Sequence, residues 1–313
     1  MIAIQTIDVL IIQIVIFYGF ILAGYLVARL SRKGQVANKY LSSLLINILV
    51  PILVFYALLT PTPISRSFNE IVLFIVIAIV IHLLGPSLLY LRFRRVEMEN
   101  QTKGALYLCS TFTNALFVPL PLALIFLGSI AMPFVILFSL TQMVLLVSIG
   151  SLIGSTFSEK ETGPKRIVED MITFPPLLAA ILSLILIGLN VRLPEDIALI
   201  LSLNSPLTTY LALVSVGLGI GISFSLTNIR TSLNVVAVRQ LIVPLLVIPL
   251  VLLSTLPTVP LQVLFLEALM PPAILTVVYA SEFDLNVEIA ATTVTIGTLL
   301  LLLLIPILLL LFG

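Results

Sequence analysis

Charge is what this sequence has least of. Of its 313 residues only 15 are Lys or Arg and 14 are Asp or Glu, so charged residues make up 9% of the chain, where a soluble domain carries roughly 25%. That shortage excludes a water-soluble globule, and with it a soluble enzyme, a nucleic-acid binder and a disordered chain. Tryptophan is absent, and there is one cysteine and one histidine. A single Cys109 cannot close an intrachain disulfide and is expected to be a buried thiol. The phosphate-binding GxxxxGK[ST] loop, the zinc-binding HExxH helix and the CxxC pair are all missing, so neither catalysis, nor a metal, nor a cofactor is expected.

Long apolar runs take the place of that polar surface. A spanning helix needs about 20 mostly apolar residues, because the hydrocarbon core is about 30 Å thick and each residue rises 1.5 Å. Ten such runs are expected, over residues 8–29, 40–59, 70–91, 104–127, 131–156, 174–190, 203–226, 234–254, 262–281 and 288–312, separated by breaks rich in charge, Pro, Gly or Asn. The stretch from Ile197 to Leu203 fits either the seventh run or an interfacial turn. The first run is too long and wrongly flanked for a cleaved signal peptide, so it is expected to be retained.

Thirteen of the fifteen cations fall in the odd-numbered connections or beside them: Arg29, Arg32, Lys33 and Lys39; Arg92, Arg94, Arg95 and Lys103; Lys160, Lys165 and Arg166; Arg230 and Arg239. Only Arg66 and Arg192 fall in the even ones. Positive charge favours the cytoplasmic side. The chain is therefore expected to be a multi-pass protein of the cell membrane with both termini extracytoplasmic.

The longest polar connection, residues 157–173, divides the spans into five and five. Because five is odd, the second set would enter the membrane from the opposite side, the inverted-repeat construction of many carriers. The expected architecture is thus an all-α integral membrane protein of ten helices in two inverted five-helix repeats, at 1–156 and 174–313. The fourth member of each set carries prolines at its middle: Pro119 and Pro121, preceded by Asn114, in span 4, and Pro271 with Pro272 in span 9. From Lys103 to Asn114 the chain rises about 16 Å and from Leu261 to Pro271 about 15 Å, so both breaks sit near mid-depth. Proline removes a backbone donor and clashes with the preceding turn. Two broken helices at one depth would satisfy their freed groups by crossing and lining a polar cavity. Pro86, Pro244, Pro249 and Pro306 are expected only to kink continuous helices.

Each distal half-helix would turn its positive N-terminus to the midplane, which favours an anionic ligand. Asn114 can orient a carboxylate or cap the broken backbone, and Gln142 in span 5 is a second mid-depth amide. His82 is read as a packing imidazole bonded to a backbone carbonyl, ahead of a proton relay. Glu267 either lines an outward-facing cavity or reaches the interface, while Arg239 is expected to snorkel to the cytoplasmic side. With no carboxylate at the midplane, a transported monoanion should move net charge, so that an inside-negative potential would favour export. The Gly217 to Gly221 stretch, GLGIG, reads as a small-residue packing face rather than a dinucleotide motif.

The segments STFTNALFVPLPLALIFLG, from Ser110, and ALMPPAILTVVYASEF, from Ala268, with NILVPILVF at Asn47 to Phe55, resemble the auxin efflux carrier family, which includes plant PIN-formed carriers and prokaryotic organic-anion carriers. The resemblance implies helices 1, 2, 6 and 7 as scaffold, helices 3 to 5 and 8 to 10 as a moving transport domain, and a homodimer. It places Asn114, Pro121, Gln142 and Pro271 near a carboxylate site, with Pro119 and Pro272 beside them and Asn47 and Glu267 as further cavity-lining candidates. The function it implies is secondary transport of a small organic anion by an elevator-type movement. A sodium- or proton-coupled symporter resembling the bile-acid carriers, using hydroxyls such as Thr292, Thr293 and Thr295, and a membrane receptor are the alternatives. No acid–Lys pair lies in span 3, and the central connection is short beside that of the long plant carriers.

Overall fold

The computed structural model describes residues 2–31, 33–59, 68–158, 173–191, 193–223 and 228–312. Most of the polar connection expected at 157–173 lies outside them, as do Arg32, Arg66, Lys160, Lys165, Arg166 and Arg192 of the charge count and the end of the seventh span at 224–226.

The described residues are helical. In chain order the helices are α1 Ile2–Leu30, α2 Gly34–Leu59, α3 Phe68–Phe93, α4 Asn100–Thr111, α5 Pro119–Phe126, α6 Ser129–Phe157, α7 Pro175–Gly188, α8 Glu195–Ser202, α9 Asn204–Ser223, α10 Ile229–Leu253, α11 Thr258–Ala268, α12 Leu275–Glu282 and α13 Val287–Phe312. In lipid a helix is favoured because it satisfies its own backbone groups. Among the described residues six helical stretches are long and apolar enough to cross a membrane: Gly34–Leu59, Phe68–Phe93, Ser129–Phe157, Glu195–Gly221, Ile229–Leu253 and Val287–Pro306. Ile14–Leu30, Pro175–Gly188 and Thr258–Ala268 are shorter apolar helices. The residues from Ile197 form a short helix of their own, α8, before α9.

Pro86, Pro249 and Pro306 sit inside continuous helices. The prolines of the fourth and ninth runs do not. Helix stops at Thr111 and resumes at Pro119, and it stops at Ala268 and resumes at Leu275. Three helices also widen locally into π turns, Leu45–Leu49 in α2, Leu146–Gly150 in α6 and Val238–Ile242 in α10.

The chain forms two compact units. One comprises residues 1–62, 120–133 and 173–222, and the other 63–119, 134–172 and 223–313. In the first, α1 packs on α9 through glycines. A side chain at Gly217 would collide with the Ile21 carbonyl and one at Gly24 with the Val214 carbonyl, while Gly221 lies against Ala28. The GLGIG stretch is thus a packing face. Phe20 stacks on Tyr210 with ring centroids 4.7 Å apart. Asn204 donates to the Leu49 carbonyl at 2.8 Å, supplying a partner at the end of the first π turn.

In the second unit α4 is central. Leu106, Leu108, Cys109 and Phe112 are buried with Val235, Phe283, Ile289 and Ala290 in one apolar core. Cys109 is a buried free thiol in contact with the Thr276 hydroxyl at 3.4 Å. Gly85 of α3 admits the Ser110 carbonyl where any side chain would clash.

Candidate functional site

Two interrupted helices of the second unit meet backbone to backbone. Where α4 ends, Phe112 turns to an extended conformation, with φ −107° and ψ 133°. Thr113 then pairs with Pro272 in an isolated antiparallel bridge. Asn114 N donates to the Pro271 carbonyl at 2.8 Å, and Ala273 N donates to the Phe112 carbonyl at 2.9 Å. Chemistry dictates this division of labour: Pro271 and Pro272 have no N–H, so this stretch donates through Ala273 and accepts through Pro271.

The first break is satisfied by neutral groups. Gln142, reaching across from α6, presents Oε1 to Thr113 N at 2.8 Å and to Thr113 Oγ1 at 3.0 Å, and its Nε2 donates to Thr113 O at 2.8 Å. Contact with both the N–H and the C=O of Thr113 fixes which end of the amide is oxygen. His82 Nε2 lies 2.9 Å from that same Oε1 and Nδ1 lies 2.7 Å from the Ala78 carbonyl; both partners are acceptors, so a neutral ring donates to one of them at a time. His82 is buried and packs against both the Ala78 carbonyl and Gln142. Asn114 is 7% exposed, and its Oδ1 accepts from Phe117 N at 3.2 Å, so its acceptor end caps the chain leading into α5. Its Nδ2 makes no hydrogen bond among the described residues.

The second break carries charge, and here the expectations need correction. Arg239 does not snorkel: it is 0% exposed and is among the largest fully buried side chains. Its helix begins at Ile229, earlier than the expected start at 234, so Arg239 lies ten residues along rather than five, inside the third π turn. Glu267 is likewise 0% exposed, so it does not reach an interface. Its helix begins at Thr258 rather than 262, which brings Glu267 two residues short of the break at Leu269. A carboxylate therefore does stand beside the broken backbone, contrary to the premise on which net charge movement was expected.

Neighbouring Gln240 donates to the Leu269 carbonyl at 3.3 Å and so ties α10 to this break. Gly297 of α13 closes the other side. A Cβ there would stand 2.7 Å from Pro272 Cδ, 2.8 Å from Gln240 Oε1 and 3.3 Å from Pro271 Cβ.

Asn114, Gln142, Pro271 and Pro272 are thus joined through Thr113. Buried Pro119 ends this stretch of the second unit, and the chain enters the first unit at Leu120. Pro121 and Asn47 belong to the first unit. Pro121 there lines a cavity of about 310 Å³ together with Phe17, Tyr56, Met132, Thr209 and Tyr210. Asn47 is exposed and donates to Ser43 Oγ at 3.0 Å. Thr292 and Thr293 bond back to the Glu288 and Ile289 carbonyls of their own helix, Thr293 also meeting Ser232 Oγ at 3.0 Å.

Residues 165–309 match the family described as membrane transport protein. The resemblance to the auxin efflux carrier family stands. The chain is 28% identical over 288 residues to an uncharacterized transporter of Methanothermobacter thermautotrophicus, covering 91% of this chain and 93% of that one. It is 26% identical over 295 residues to an uncharacterized transporter of Methanocaldococcus jannaschii, covering 93% and 94%. The chain is thus similar to membrane transport proteins, and its long apolar helices support a multi-pass membrane protein.

Proposed function

We propose that the chain is a secondary carrier for a small organic anion, working by elevator-type alternating access. The observation that carries this reading is the pairing of two proline-interrupted helices through Asn114–Pro271 and Phe112–Ala273 in a chain whose relatives are transporters. Non-helical backbone at membrane depth is tolerated where it is buried in protein or lines a cavity, and carriers use such breaks to bind solutes. The chains leading into α5 and α12 start from the two breaks, and helix N-termini attract anions.

In this reading the ten runs are ten spans in two inverted repeats whose fourth members cross. Residues of spans 1, 2, 6 and 7 cluster in the first unit and those of spans 3, 5, 8, 9 and 10 in the second, which supports taking the former as scaffold and the latter as the moving body. The carrier would be a homodimer with both termini outside, and it would export its anion. Asn114 Nδ2 would meet the carboxylate, while Gln142 would hold the backbone in place.

Purified protein in liposomes should give saturable flux of labelled monocarboxylates that unlabelled anion competes away. No flux across a panel of small organic anions would overturn the reading. Orientation has its own check: a cysteine at Ser158 should resist an impermeant thiol reagent added to intact cells.

A further inference from the structure

Six buried polar atoms near the second break have no hydrogen-bond partner among the described residues: Nε, Nη1 and Nη2 of Arg239, both carboxylate oxygens of Glu267, and Oε1 of Gln240. A guanidinium carries five N–H donors and no acceptor, and an ionised carboxylate only accepts. Each is costly to bury without partners. An ion pair serving only to pin α10 to α11 would close its fork directly on the carboxylate. Here neither group has that contact, although Gln240, next to Arg239, reaches the Leu269 carbonyl two residues past Glu267. The guanidinium therefore keeps donors unused for a second carboxylate, and Glu267 keeps acceptors unused for a proton. The π turn at Val238–Ile242 adds to this, since such turns are frequent at functional sites, and Gln240 in the same turn holds the Leu269 carbonyl at the break.

We propose that Arg239 is an anion subsite of this chain, taking the carboxylate of a small monocarboxylate, and that Glu267 takes up one proton from water as the anion arrives. The ligand class rests on the carrier reading above; the residues and the proton are new. Before binding, Arg239 and Glu267 sum to zero charge. Afterwards Arg239 faces the ligand carboxylate, Glu267 is a neutral acid with one new O–H bond, and the sum is again zero. A dicarboxylate would bring a second negative charge that nothing here offsets. The helices packed against α11 carry Arg230 and Arg239 on α10 and Glu70, His82, Tyr90 and Arg92 on α3; beyond Glu288, α13 has no ionisable residue. Anion and proton moving together would carry no net charge, so membrane voltage would cease to favour export.

The test is calorimetric titration of acetate into the purified full-length protein in two buffers of different ionisation heat, which counts protons. Expected are one proton taken up per acetate, affinity falling about tenfold per pH unit where Glu267 is ionised, and weaker binding of succinate. Glu267→Gln should bind acetate with no proton uptake and no pH dependence. Arg239→Gln should lose about tenfold to 150-fold in affinity, the worth of a hydrogen bond to a charged group. If it does not fold, Arg239→Lys, which keeps the charge and loses the fork, should still weaken binding. Acetate that does not bind, binding without proton uptake, uptake that persists in Glu267→Gln, or wild-type affinity in a folded Arg239 variant would each overturn the proposal. Liposomes separate the two readings. Unchanged anion flux through Arg239→Gln would sink this site and leave the carrier standing, whereas proton-linked acetate binding without any flux would do the reverse.

Discussion

The two breaks solve one problem in different ways. At Phe112–Asn114 the Phe112 carbonyl, both Thr113 backbone groups and the Asn114 N–H are met by neutral partners, with Gln142 alone making four contacts to Thr113 and His82. At Leu269–Pro272 the backbone is paired, but the side chains beside it are Arg239, Gln240 and Glu267, all buried and all with unpartnered atoms. A fully bonded amide network rigidifies its surroundings, while a buried charge without contacts is costly. The contrast assigns the first break mainly to architecture and makes the second the place to look for ligand chemistry.

The strongest test of that contrast removes the charges. Arg239→Met alone should destabilise the protein by at most about 3–5 kcal/mol, the penalty for leaving Glu267 as an uncompensated buried charge, and by less where Glu267 takes up a proton. Adding Glu267→Met should recover most of that loss, since replacing a whole buried pair with apolar residues is often neutral or stabilising. Thermal unfolding in detergent measures both. A double variant no more stable than the single would show that the two charges are independent and would erase the distinction between the breaks.

At the first break Gln142→Leu should cost about 2–4 kcal/mol in the same assay, because Thr113 N–H, Thr113 C=O and a His82 ring nitrogen would each lose a buried partner at about 1–3 kcal/mol apiece before relaxation. A shift within experimental error would mean that the network is not what holds this break.

Much of this was legible beforehand. Paired prolines at matched positions marked both interruptions, since proline lacks a donor whatever the tertiary context, and the GLGIG stretch announced a close helix contact. The burial of Arg239 and Glu267 was not legible. Counting from apolar boundaries put both near a membrane surface, yet their helices start four or five residues earlier, at Ile229 and Thr258. Polar first turns such as IRTSLN are not distinguished from loop by hydropathy alone, and a π turn leaves no reliable mark in sequence. Nor could residue types disclose that Gln142 would find Thr113, 29 positions away.

Gly297→Ala probes the packing behind the second break and should cost about 1–3 kcal/mol, the usual range for overpacking. Its added methyl would meet Pro272 Cδ at 2.7 Å and Gln240 Oε1 at 2.8 Å, and a proline ring has little freedom to yield. If the methyl shifts the break, acetate affinity should fall along with stability. Loss of stability with affinity intact would place the anion site away from Pro271 and Pro272.

The smallest expected stability effects belong to Asn114, where they separate two roles. Asn114→Ala should lose about 1 kcal/mol as the cap on Phe117 N disappears. Asn114→Asp should lose less, because its carboxylate still accepts that hydrogen bond and a negative charge is favoured at a helix start. Exposed Asn47, bonded only to Ser43, should change stability by less than about 0.5 kcal/mol on conversion to Ala. Anion affinity ought to follow a different order. If Nδ2 meets the ligand carboxylate, Asp replaces a donor with a repelling oxygen, so the variant that best preserves stability should bind worst, by about tenfold to 150-fold relative to wild type. Binding by Asn114→Asp equal to wild type would leave Asn114 as a cap alone, and the ligand chemistry would then rest on Arg239 and Glu267.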